Sequence, residues 1–145
     1  MSSEHLDRFV EAQEPVYAAA LQELRNGRKR GHWMWFIFPQ MLGLGASRTS
    51  RLYGIRSIEE ARAYLDHPVL GPRLLECFAT VNWTGERSAV EIFGSVDAIK
   101  LRSSATLFEM AGGGVAFSRC LDSFFEGVRD RRTAEILEAK GRGGE

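Results

Sequence analysis

Three stretches of the chain carry residue types and spacings that could do chemistry. The first is Asp97, Lys100 and Ser104, which fall on one side of a helix between an apolar stripe of Val96, Ile99, Leu107 and Met110 and a second of Leu101 and Phe108. An ammonium flanked by apolar surface needs a counter-charge or an anionic ligand. Two readings stay open: an internal Asp97–Lys100 pair three residues apart, or an anion contact at a pocket edge. Arg102 falls on the far, solvated side, and Ser103 reads as a core hydroxyl bonded to a backbone carbonyl.

The second stretch runs from Arg28 to Gln40. Arg28, Lys29 and Arg30 offset the dipole of a preceding helix end or hold phosphates. Trp33 could stack a base or sugar, and Gln40, after Pro39, could present its amide to a ligand edge. His32 is either a general base or a satisfied hydrogen-bonding group. The third stretch is Ser47-Arg48-Thr49-Ser50-Arg51, a glycine-flanked set of hydroxyls and guanidinium groups that could cradle phosphate, or a plain solvated loop. It lacks the spacing of a P-loop or a dinucleotide fold.

The candidate site is therefore Asp97 and His32 for proton handling, with Trp33, Gln40, Arg48, Lys100 and Ser104 for ligand contact. No metal and no cofactor are expected, because the three histidines are scattered and neither Cys77 nor Cys120 has metal spacing.

The elements that must position these residues read as helices. Leu6, Phe9, Val10, Gln13, Tyr17, Leu21 and Leu24 follow helical spacing, with a kink or fresh start where Pro15 lacks its N–H, and Asn26–Gly27 as a stop. Ser57 with Glu60 and Ser88 with Glu91 have the spacing of capping boxes. Pro72 suits a helix start, and His67 before Pro68 a turn. Ser95 begins a helix reaching Met110. Phe117, Leu121, Phe124 and Val128 mark another from Val115, and Asp130 caps a last one to about Lys140. The run from Trp33 to Phe38 fits a short buried helix or strand, and the helical surroundings favour the helix.

The expected fold is all-α: one multihelical domain over residues 4–140, with a long N-terminal helix kinked near Pro15 and a disordered tail over residues 141–145. The chain has 145 residues and balances 19 basic against 19 acidic side chains. That balance argues against broad nucleic-acid binding, and the longest apolar run is too short to span a bilayer. The two cysteines sit in apolar stretches, so a reducing cytoplasm is the expected location. The oligomeric state is left open.

The strings Gly31-His32-Trp33-Met34-Trp35-Phe36-Ile37-Phe38-Pro39-Gln40, Gly43-Leu44-Gly45, Tyr64-Leu65-Asp66-His67-Pro68-Val69-Leu70-Gly71 and Lys100-Leu101-Arg102-Ser103-Ser104 resemble the bacterial "domain of unknown function eighteen-ten" family. The resemblance covers about Leu6 to Leu137 and implies a small, mainly helical domain with no established activity. Some members carry the label calpastatin, an inhibitor built of disordered repeats, whereas this composition is globular. A more distant similarity, in the order of signals rather than in motif, is to the NADAR superfamily of N-glycosidases acting on ADP-ribosyl and related compounds. Together these readings point to a domain that binds a phosphorylated, nucleotide-like ligand, with hydrolysis of an N-glycosidic bond as the boldest form. The competing reading is a non-catalytic helical module that binds a protein.

Overall fold

The computed structural model describes residues 2–84 and 86–143, and among them there are nine helices and no strand. α1 (Ser2–Gln13) and α2 (Tyr17–Arg25) are separated at Pro15, so the expected kink is a true break. Gly27, at φ +72°, turns the chain after α2. The aromatic run forms a single helical turn, α3 (Met34–Ile37), and α4 (Arg48–Leu52) follows under a Ser47 cap that the sequence reading did not foresee.

α5 (Ile58–Asp66) is capped by Ser57 Oγ, which accepts from Glu60 N. The expected reciprocal half is displaced by one residue, because the Glu60 carboxylate accepts from Arg56 N at 2.8 Å and faces Arg8. His67 Nδ1 accepts from the N–H groups of Val69 and Leu70 and so starts α6 (Leu70–Trp83). The Ser88–Glu91 capping box is complete and opens α7 (Ala89–Met110). Gly94, at φ +82° and ψ +162°, breaks α7 just before Ser95, where a new helix was expected. α8 (Val115–Phe125) ends at left-handed Glu126 and Gly127, short of the expected Val128. Asp130 caps α9 (Arg131–Gly143) through Thr133 N. The last helix thus runs through three positions assigned to a tail; residues 144 and 145 lie outside the described residues.

The core is a relay of aromatic contacts, three edge-to-face and two tilted. Phe9 meets Tyr64 at 5.2 Å, Tyr64 meets Phe108 at 5.4 Å, Phe108 meets Phe117 at 5.7 Å, Phe117 meets Phe78 at 4.8 Å, and Phe78 meets Phe38 at 5.0 Å. This relay joins α1, α5, α7, α8, α6 and the residue that closes α3; each such pair contributes about 0.5–1.5 kcal/mol beyond its burial. Cys77 and Cys120 are free and buried, and burial pushes both thiols up to about 12, in keeping with core residues. No helix among the described residues is long and apolar enough to cross a membrane.

Candidate functional site

Met34 and Ile37 of α3 enter the core, which turns Trp35 and Phe36 partly outward. The chain then passes through buried Phe38 and is pinned by one parallel bridge: Ile55 N donates to Gln40 O and Leu42 N donates to Ile55 O, both at 2.8 Å. These bonds fix Gln40 beside α7. Between them lies a cleft of about 280 Å³. Trp35, Gln40 and Leu44 form one wall, Val96, Ile99, Lys100 and Ser103 a second, and Asp130 with Arg132 the third.

Asp97 joins two cations, Lys100 at the cleft and Lys29 behind it. Lys100 Nζ is 2.9 Å from Asp97 Oδ1, and Lys29 Nζ is 2.9 Å from Asp97 Oδ2. Burial alone would raise the Asp97 carboxyl, but the hydrogen bonds and charges of the two lysines overcome it and hold the group below the usual carboxylate range. Two ammonium groups share one carboxylate, so the local balance is positive. Lys100 Nζ also lies 4.4 Å from the centroid of the Trp35 ring.

Gln40 is 4% exposed, and its Nε2 is buried without a hydrogen-bond partner. A buried amide donor left unmade costs about 1–3 kcal/mol. Arg132 donates to Gly43 O at 3.3 Å, tying α9 to the glycine-bearing loop across the cleft. Asp130 Oδ2 accepts from Thr133 N and Thr133 Oγ1, while Asp130 N donates to Thr106 Oγ1. Ser103 Oγ donates to Ile99 O, as its helical setting implied. Among the described residues no group of three or more His, Cys, Asp or Glu side chains is placed to hold a metal.

Of the seven candidate residues, only Gln40 and Lys100 line this cleft. Asp97 stands behind Lys100 as its internal counter-charge, so one of the two readings of the pair is realised, yet the lysine still borders an opening. Trp33 is corrected to a core residue: it is 2% exposed and its Nε1 donates to Glu23 Oε1, which also accepts from the N–H groups of Arg30 and Gly31. Ser104 is fully buried, with an unpartnered hydroxyl, because its side of α7 faces the core rather than the cleft. His32 and Arg48 are exposed and do not line the cleft. Along the apolar stripe Leu107 is buried, whereas Val96 and Ile99 are 67% and 58% exposed and border the cleft.

Sequence reasoning missed Trp35, Arg132 and Asp130 as cleft residues. Trp35 belonged to the right string, but a single turn of helix has no periodicity that separates it from Trp33. Asp130 was legible only as a cap, and Arg132 follows that cap by two residues.

No curated protein matches the chain. A solved structure, that of the conserved hypothetical protein Rv1873 from Mycobacterium tuberculosis, is similar at 54% identity with a TM-score of 0.90, over 92% of this chain and 96% of that one. The family model described as "Protein of unknown function (DUF1810)" matches residues 3–137, and with nearly the whole chain matched, the protein belongs to that family.

Proposed function

We propose that the cleft between Trp35, Lys100 and Arg132 binds a small phosphorylated, nucleotide-like ligand, with an ADP-ribosyl compound as the leading class. The observation that carries this reading is the convergence of Lys100, Arg132 and Trp35 on one cleft, with Gln40, whose backbone is fixed by the Ile55 bridge, in its wall. Lys100 and Arg132 supply positive charge for phosphate oxygens, and Trp35 supplies an aromatic wall for a base or sugar.

Binding, rather than turnover, is what these groups support. Cleavage of an N-glycosidic bond needs a carboxylate or imidazole at the bond. Both oxygens of Asp97 are held by ammonium groups, and His32 lies off the cleft, which leaves Asp130 as the carboxylate on its wall.

Thermal melts with ADP-ribose, ribose 5-phosphate and nucleoside monophosphates test the proposal. A ligand at about one hundred times its dissociation constant adds about 2.7 kcal/mol, a rise of roughly 5–10 °C for a chain of this size. Absence of any rise with all of these compounds at millimolar concentration contradicts the reading.

A further inference from the structure

A second groove lies away from the cleft, along α6. It encloses about 500 Å³ between Arg25, Glu76, Ala79, Thr80 and Trp83. Trp83, the last residue of α6, is 86% exposed, whereas tryptophan is on average a highly buried residue. The same indole walls two further grooves, of about 400 Å³ towards Arg87 and about 290 Å³ towards Arg119. Leu75, Ala79 and Trp83 recur every four residues, so they share one side of the helix, and all three are exposed.

We infer that this face of α6 docks a second copy of the chain, each Trp83 entering the α6 groove of the other copy about a two-fold axis. The proposal is independent of the ligand reading, because no residue of this face lines the Lys100 cleft. A protruding indole beside a groove floored by a small residue makes one surface both knob and hole. A two-fold interface requires that self-complementarity, since the same patch must meet itself.

The charges agree. Arg25, Arg87 and Arg119 border the face together with Glu76 and Glu86, so cations of one copy can meet carboxylates of the other. A purely acidic partner, whether peptide or nucleic acid, would meet both glutamates. Tryptophan and arginine are also the residues that most often dominate interface energies.

Sedimentation velocity and light scattering of the full chain, from low micromolar to millimolar concentration, decide the matter. The expected result is a rise from the 16.2 kDa single-chain mass to twice that value. Trp83→Glu should raise the dissociation constant at least tenfold while leaving the melt of the dilute, single-chain protein unchanged, and Arg25→Glu should weaken association in the same direction. A wild-type chain that keeps its single-chain mass at millimolar concentration overturns the inference. So does a dimer that Trp83→Glu leaves intact.

Discussion

Lys100 Nζ lies 4.4 Å from the centroid of the Trp35 ring while forming a 2.9 Å ion pair with Asp97. The ammonium is thus held from behind by a carboxylate and from the side by an aromatic face, at the edge of a cleft. Lys100→Met keeps most of the stem and removes the charge. Asp97 retains Lys29, so the fold should lose no more than about 1 kcal/mol, within the range of a partly exposed ion pair. Affinity for a phosphorylated ligand should fall at least tenfold, checked by calorimetric titration.

Gln40→Leu separates binding from stability. Removing a buried donor that has no partner relieves a cost of about 1–3 kcal/mol, so the variant should melt at or above the wild-type temperature. Ligand-induced stabilisation should disappear in the same preparation. A variant that melts well below wild type would mean that the amide has a structural partner.

The acid side of the stability profile should depend on Asp97. Its folded-state value lies below the ordinary 3.8, so its contribution is fully present above the unfolded value and is lost as pH falls through the folded one. Glu109, held down chiefly by its hydrogen bond from Arg129, acts in the same direction. Melting temperature should therefore drop as pH is lowered below about 4. Asp97→Asn should cost about 1–3 kcal/mol near neutrality, because two charge-assisted bonds are weakened, and should flatten the acid limb. Melts recorded across the acid range for both proteins check this.

Gly45 sets the position of Trp35. A Cβ at Gly45 would lie 2.9 Å from Ser50 Oγ and 3.2 Å from the Trp35 ring. Gly45→Val should therefore shift the indole and weaken ligand binding several-fold, at a packing cost of about 1–3 kcal/mol. Comparing calorimetric affinities with melting temperatures distinguishes the two effects.

The helical build was readable because caps and breakers act over a few residues: Ser88 with Glu91, Asp130 with Thr133, and Pro15 all do what their chemistry dictates. The cleft was harder to read. Gln40 and Lys100 could be named because an amide after proline and a lysine between apolar stripes are unusual wherever they fall. Trp33 and Trp35 could not be assigned correctly, since what decides between them is Glu23, ten residues before Trp33, accepting the Trp33 indole N–H. Ser104 was misplaced for a related reason: angular position on α7 says which residues share a face, but not which neighbour covers that face. Arg132 reaches the cleft only through the return of α9 against the loop at Gly43, a contact 89 residues apart in sequence.

The central claim is tested most directly by following the three tryptophan indole N–H signals and the Gln40 side-chain amide by nuclear magnetic resonance while ADP-ribose is added. The account predicts that the Trp35 indole and the Gln40 amide move together and saturably, while Trp33, bonded to Glu23, and Trp83, on α6, stay in place. Saturating ligand that leaves both the Trp35 and Gln40 signals unmoved would contradict it.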